Sequence, residues 1–148
     1  MPLINKIKSY IGGLTPDIIL FVIRLTIGLI FIQTGLGKLT HLGDTTMFFA
    51  DLGIPFPGIN ALTASSTELI GGCLLVLGLA TRLISIPLSI IMIVAILTAQ
   101  PEALHSISSF IRLQEFDYLL IFLLLFSAGP GKFSLDTIIR KYFIDEPE

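Results

Sequence analysis

One acidic side chain inside a bilayer-length apolar run constrains this chain more than any other feature. Residues 60–82 read NALTASSTELIGGCLLVLGLATR, with Glu68 well inside the run. A spanning helix needs about 20 mostly apolar residues, and a carboxylate near its centre costs about 2.5 to 3.5 kcal/mol on insertion scales. We therefore expect Glu68 to have a partner or a functional role. The alternative is a structural role, in which its hydrogen bonds only fix the helix register.

Small residues surround this acid and indicate close contact with neighbouring helices. Membrane helices pack by dispersion, and glycine lets two backbones approach closely. The first long apolar segment carries Gly28 and Gly35 on the same stripe as Arg24 and Lys38. The predicted helix-packing positions are Gly28, Gly35, Gly71, Gly72 and Gly78.

Composition places the chain among membrane proteins. Of its 148 residues, 53% are hydrophobic and 14% are charged, whereas about 25% are charged in an average soluble domain. The net charge is −2 and there is no basic block, which argues against nucleic acid as a partner. The lone Cys73 cannot form an internal disulfide, and its place beside Gly72 predicts a small buried side chain. No metal site is predicted, because His41 and His105 have no ligand spacing.

The sequence predicts an all-α fold: an integral membrane four-helix bundle with short interfacial amphipathic helices, forming one transmembrane domain over residues 1–148. The spans are predicted at approximately 16–38, 60–80, 83–99 and 114–129. Interfacial helices are predicted at approximately 3–11, 44–52 and 134–143. Gly12 and Gly13 are expected to end the first of these, and Thr15 to cap the first span.

The distribution of cations predicts the orientation. With four spans, the side that holds both termini carries six cations, namely Lys6, Lys8, Arg82, Lys132, Arg140 and Lys141. The other side carries Lys38 and Arg112. The positive-inside rule then places both termini in the cytoplasm of a bacterium, with the protein in the inner membrane.

Polar residues in the outer half of the bundle form the predicted site. At about 1.5 Å per residue, Arg24 lies roughly 10 Å and Glu68 roughly 18 Å from the cytoplasmic edge, so they pair only if the helix registers shift. The candidate catalytic residues are Glu68, Arg24 and Glu115. The candidate ligand-binding or quinone-binding residues are Gln33, Lys38, Phe48, Phe49, Gln100, Arg112 and Asp117. Acids held in a low-dielectric bundle suit proton exchange with a redox partner. The alternative is that Glu115 and Asp117 lie solvated among the headgroups while Arg24 reaches the cytoplasmic surface.

Five short motifs, in order from residue 21 to residue 136, resemble the DoxX family of small four-helix bacterial membrane proteins. They are Arg24-Leu25 with Gly28, Phe31, Gly35 and Lys38-Leu39; Phe48-Phe49 with Leu52-Gly53; Glu68-Leu69-Ile70-Gly71-Gly72; Leu77-Gly78-Leu79 with Thr81-Arg82; and Gly129-Pro130-Gly131-Lys132-Phe133-Ser134-Leu135-Asp136. The resemblance implies a four-helix bundle related to a thiosulfate:quinone oxidoreductase subunit and to methylamine-utilisation membrane proteins. The family's recurrent Arg and Glu fall on Arg24 and Glu68. Superfamily relatives that exchange disulfides use cysteine pairs, which this chain lacks.

Three functions remain open at this point. The first is a membrane subunit of a quinone-linked oxidoreductase system, with quinone as ligand, no covalently bound cofactor, and electrons supplied by a soluble or membrane redox partner. The second is a non-catalytic anchor or assembly partner for a soluble redox enzyme. The third is a small-solute carrier, which the lack of an inverted repeat or a broken helix in the sequence disfavours. All three have the lipid bilayer as surroundings, and a homo-oligomer is compatible with each.

Overall fold

The structure is a computed structural model that describes residues 2–143. Within that range it is helical, without strands. The elements are α1 (Pro2–Thr40), α2 (Leu42–Asp51), α3 (Pro57–Leu77), α4 (Thr81–Ala99), a 3-10 helix (Pro101–His105), α5 (Ile107–Phe110), α6 (Gln114–Ala128) and α7 (Leu135–Phe143). Helix α1 packs on α3, α3 on α4, and α4 on α6. The prediction of an all-α membrane bundle of four main helices is confirmed.

Three helices in the described part of the chain are long and apolar enough to cross a membrane. They are the segment Pro16–Thr40 of α1, together with α3 and α4. Helix α6 has 15 residues, which is about 22 Å at 1.5 Å per residue against a hydrocarbon core of about 30 Å. It begins after Leu113, whose backbone is extended. The number of crossings therefore stays a prediction.

Helix α1 is longer than the sequence predicts. It runs without a break through Gly12, Gly13 and Pro16, so the predicted end at the two glycines and the predicted cap at Thr15 were wrong. Glycine in a helix costs about 1 kcal/mol relative to alanine but keeps its N–H group. Proline removes one hydrogen bond and need not end a membrane helix. The amphipathic face predicted for residues 3–11 lies outside the side chains that the structure describes.

The two remaining interfacial helices correspond to α2 and α7, with boundaries shifted by one or two residues. Helix α3 ends in a Schellman motif, because Gly78 adopts φ +69 and the Leu79 N–H donates to the Leu74 carbonyl at 2.9 Å. The next helix starts after only two further residues, so α3 and α4 form a tight antiparallel hairpin.

Glycines set the spacing between α1 and α3. A Cβ added to Gly35 would lie 2.5 Å from the Leu69 nitrogen, and one added to Gly72 would lie 2.7 Å from the Ile32 nitrogen. A Cβ at Gly28 would lie 2.9 Å from the Gly72 carbonyl oxygen. The two backbones are therefore in direct contact, which dispersion stabilises where lipid tails offer no hydrophobic driving force.

Aromatic packing joins α1 to α6. The Phe31 ring meets Phe122 at 5.0 Å and Tyr118 at 5.4 Å between centroids, both edge to face. Phe122 is fully buried. Cys73 is exposed on the outside of the bundle, so the predicted buried thiol was wrong. It lies about 100° around α3 from Gly72, which faces α1.

Candidate functional site

An ion pair between Lys38 and Glu68 lies at the end of the bundle next to α2. Helix α1 supplies Lys38 from its last turn, and α3 supplies Glu68 from its middle. The Lys38 Nζ donates to Glu68 Oε1 at 2.6 Å. Glu68 is 1% exposed, whereas the Lys38 side chain is 38% exposed. The register that Gly35 permits thus brings a cation to the one acid in the centre of a span.

The second oxygen of this carboxylate has no protein partner among the described residues. Glu68 Oε2 is buried and accepts no hydrogen bond there. A buried acceptor left without a donor costs about 1 to 3 kcal/mol, and more when it is charged. Such a group indicates a position where a further donor is expected.

Glu68 and Lys38 line a cleft of about 970 Å³, which we call the α2-end cleft. Its walls come from α1, α2, α3, α4 and α6, so the site is assembled only when the bundle is complete. The lining is mainly apolar and aromatic, with a polar strip. The lining residues are Phe31, Thr34, Lys38, Asp44, Thr45, Phe48, Phe49, Leu52, Ile54, Asn60, Thr63, Ala64, Thr67, Glu68, Pro87, Ile90, Ile91, Met92, Val94, Ala95, Thr98, Ala99, Gln100, Gln114, Glu115 and Tyr118.

Six of the residues singled out in the sequence meet in this cleft. They are Lys38, Phe48, Phe49, Glu68, Gln100 and Glu115. Gln33, Arg112 and Asp117 are exposed and do not line it. The helical period explains two of these outcomes: Gln33 lies five residues from Lys38, about 140° around α1, and Asp117 lies about 200° around α6 from Glu115.

Sequence reasoning missed the hydroxyl-bearing part of the lining. Asn60, Thr63 and Thr67 stand at helical spacing on α3, and Thr67 directly precedes Glu68. That i, i+3, i+7 pattern leads directly to the acid and was the available signal. Phe31 and Tyr118 also line the cleft, and their rings pack edge to face.

Arg24 lies at the opposite end of the bundle, next to α7. Its guanidinium donates to the carbonyl of Pro130 and, at 2.5 Å, to that of Phe133. It is 1% exposed and sits against Gly78, where an added Cβ would come within 2.7 Å of it. Fourteen residues of helix separate Arg24 from Lys38, or about 21 Å. Arg24 and Glu68 therefore do not pair, and Arg24 fastens the loop between α6 and α7.

Further bonds hold that loop against the start of α4. Asp136 accepts from the Ala80 N–H at 3.0 Å and donates its own N–H to the Gly78 carbonyl at 3.1 Å. Asp17 pairs with Lys132 at 3.0 Å. The Gly-Pro-Gly-Lys motif thus fastens the end of α6 to α1 and to the α3–α4 turn.

Within the described residues, no group of three or more histidine, cysteine, aspartate or glutamate side chains could hold a metal ion. The polar groups of the α2-end cleft are one ion pair, the carboxylates of Asp44 and Glu115, hydroxyls and amides. Such a lining can orient an amphiphilic ligand, with its polar head at Glu68 and its apolar part along α4.

Comparison with known proteins identifies a family and several relatives, among them membrane proteins. A family model described as DoxX matches residues 19–101. The Bacillus subtilis protein named "Putative oxidoreductase CatD" is 34% identical over 121 residues, covering 80% of this chain and 85% of CatD. An uncharacterised membrane protein of Mycobacterium tuberculosis is 32% identical over 133 residues, 80% of each chain. The inner membrane protein YphA of Escherichia coli is 32% identical over 89 residues, covering 60% of this chain and 61% of YphA.

No solved structure matches the chain. The family match includes both members of the Lys38–Glu68 pair, the glycine contacts of α1 and α3, and all of α4. With a match over more than half of its length and a relative 34% identical over four fifths of it, this chain belongs to the DoxX family of membrane proteins.

Proposed function

We propose that this protein is the membrane subunit of a quinone-linked oxidoreductase system, and that the α2-end cleft receives the quinone head group. The observation that carries the proposal is the Lys38–Glu68 pair inside a largely apolar cleft of about 970 Å³. Ligand sites commonly have volumes of about 300 to 1,000 Å³ and a few placed polar groups. The naming of the relative CatD as an oxidoreductase adds support for redox chemistry.

The residues of the cleft suit a ring with polar oxygens. Phe31 and Tyr118 offer aromatic edges, and the Ile90 and Val94 side chains of α4 extend the apolar surface toward the lipid. A quinone takes up two electrons and two protons when it is reduced. Lys38 can donate a hydrogen bond to a ring oxygen, and the unpartnered Oε2 of Glu68 can hold or accept a proton beside it. The electrons come from a separate partner protein.

Co-purification of quinone tests this proposal. The full chain is extracted in mild detergent and reconstituted in nanodiscs, and organic extracts are analysed for quinone against empty nanodiscs. We expect the sum of quinone and hydroquinone to be enriched with the wild type and to be several-fold lower with Glu68→Gln. Glu102→Gln is the matched control, because Glu102 is exposed and outside the cleft. Equal quinone in the wild-type and empty nanodiscs would contradict the proposal.

A non-catalytic anchor is the second candidate, favoured by exposed apolar side chains at the α2 end. Met47 is 67% exposed and Phe56 75% exposed, and neither lines the cleft. If the protein only docks a soluble enzyme there, Met47→Glu abolishes co-purification of that enzyme while Glu68→Gln has no effect. If the quinone-site proposal holds, Met47→Glu restores function in a deletion strain and Glu68→Gln does not.

A further inference from the structure

The threonine hydroxyls that line the α2-end cleft each already donate their hydrogen to a backbone carbonyl. Thr63 donates to the Ile59 carbonyl, Thr67 to the Thr63 carbonyl and Thr98 to the Val94 carbonyl, each at 2.8 Å. Thr34 donates to the Phe31 carbonyl at 3.2 Å, and Thr45 to the His41 carbonyl at 3.1 Å. A carbonyl oxygen can only accept, so the hydroxyl must be the donor in each bond. All five oxygens therefore present only lone pairs to a ligand.

Two further groups in the lining also offer hydrogen-bond acceptors. The Asn60 amide nitrogen donates one N–H to the Pro55 carbonyl at 2.6 Å, which leaves the amide oxygen as an acceptor and the second N–H as a donor. Glu68 Oε2 is an acceptor without a partner among the described residues, on a side chain that is 1% exposed. Asp44 and Glu115 add carboxylates to the rim.

The free donors of the lining lie mainly outside α3. The Lys38 ammonium has one N–H engaged with Glu68 Oε1 and two that remain. The Gln114 amide donates to the Tyr118 hydroxyl oxygen, so the Tyr118 O–H stays available as a donor on α6, and Gln100 carries an amide with both donors and an acceptor. On α3, the oxygens of Thr63, Thr67 and Glu68 can only accept, so a ligand head placed beside them must donate.

We infer that the α2-end cleft holds the reduced, dihydroxy form of its ring ligand in preference to the oxidised quinone, with a ligand hydroxyl donating to Glu68 Oε2. This inference rests on the proposed function. Quinone oxygens only accept, so a quinone opposite the Glu68 and threonine oxygens leaves acceptors facing acceptors. A hydroquinone donates two hydrogen bonds, and one of them satisfies the buried carboxylate oxygen. Sites built to bond a particular hydroxyl discriminate strongly against analogues that lack it.

Three probes with the same ring separate donor recognition from shape. They are a short-chain benzoquinone, the corresponding hydroquinone and the dimethyl ether of that hydroquinone, which lacks both donors. Affinities are measured by calorimetry without oxygen, with the full chain in nanodiscs. We expect the hydroquinone to bind about tenfold more tightly than either of the others, the effect of one hydrogen bond to a charged acceptor.

Two variants locate the preference within the cleft. In Glu68→Gln the charged acceptor becomes an amide that also donates, so the preference for hydroquinone should fall toward unity. Thr67→Val keeps the shape of the side chain and removes one acceptor, so it should reduce the preference by a smaller factor. Glu102→Gln should keep the wild-type ratio, and circular dichroism and the melting temperature verify that each variant is folded.

The outcomes are distinct. If the quinone or the dimethyl ether binds as tightly as the hydroquinone, the inference is overturned while the proposed quinone site stands. A full preference retained in Glu68→Gln overturns the assignment to Glu68. If none of the three probes binds above empty nanodiscs, the proposed function fails and the inference fails with it.

Discussion

At the scale of single residues, the environment of Glu68 determines what this carboxylate can do. One oxygen is neutralised by Lys38 at 2.6 Å and the other has no partner among the described residues. An ion pair taken out of water regains its desolvation cost only when its remaining lone pairs are bonded as well. The Glu68 carboxylate is therefore partly satisfied by the protein and is completed by something that enters the cleft.

The coupling within this pair can be measured. Lys38→Met leaves a buried carboxylate without a cation, and we expect it to lower the free energy of unfolding by about 2 to 4 kcal/mol. This is somewhat below the usual cost for fully buried pairs, because the Lys38 side chain is 38% exposed. Lys38→Met combined with Glu68→Leu should recover most of the loss. Chemical unfolding in detergent gives both values, and strictly additive effects would contradict a coupled pair.

Substitution of Arg24 should lower stability without affecting ligand binding. Its planar fork reaches two carbonyls, those of Pro130 and Phe133, which the compact ammonium of lysine cannot bridge in the same way. Arg24→Lys should therefore lower the melting temperature and increase proteolysis of the loop at residues 129–134. Ligand binding in the α2-end cleft, about 21 Å away along α1, should remain. Loss of binding in a variant that melts like the wild type would instead place Arg24 in the site.

At the scale of the elements, the contact of α1 with α3 sets the position of Lys38 relative to Glu68. Gly35 lies one turn before Lys38, and a Cβ there would meet the Leu69 backbone at 2.5 Å. Gly35→Ala should push the helices apart, destabilise the bundle by about 1 to 3 kcal/mol and weaken ligand binding. Gly37→Ala is the matched control, because a Cβ there meets nothing within 4 Å. It should stabilise the helix by about 0.5 to 1 kcal/mol. Thermal melts and probe affinities are compared for the two variants. Equal effects would contradict the role of Gly35 in the contact of α1 with α3.

The elements also show how far sequence reasoning reached. Long apolar runs and their Gly and Pro borders predicted helices α2, α3, α4, α6 and α7 to within three residues, because period and length are local properties. The run through Gly12 and Gly13 was missed, since a glycine penalty of about 1 kcal/mol each weakens a helix without ending it.

The site was less accessible from sequence. That Glu68 needs a partner followed from the cost of a charge in lipid. That the partner is Lys38 depends on backbone contacts between α1 and α3 at the level of ångströms, which a residue pattern does not contain. The threonines were missed because a helical threonine usually bonds its own backbone, as these do. Only their common orientation around the cleft gives them a role.

At the scale of the whole molecule, the length of α6 decides how many times the chain crosses the bilayer. Its first two turns carry Gln114 and Tyr118, which line the α2-end cleft. Near its other end, the Ser127 carbonyl accepts from Arg82 at 3.3 Å. Helix α6 therefore extends from the level of the cleft to the level of the α3–α4 turn, although it has only 15 residues. A local thinning of the bilayer or headgroup contact at Glu115 can accommodate this shortfall.

This geometry leads to a prediction about orientation. Asp17, at the start of the span in α1, contacts Lys132 after α6, so the two segments lie at the same end of the bundle. That end also has Arg82, Arg140 and Lys141, whereas the other end has Lys38 and Arg112. The positive-inside rule assigns the end with more cations to the cytoplasm. Four crossings place both termini there, whereas three would place them on opposite sides. Paired reporter fusions, alkaline phosphatase and a fluorescent protein, at Lys8 and after Phe143 should both report the cytoplasm. Reporters on opposite sides would mean that α6 does not cross. Arg82 and Lys132 would then lie on different sides of the membrane, although each is bonded within the same end of the bundle.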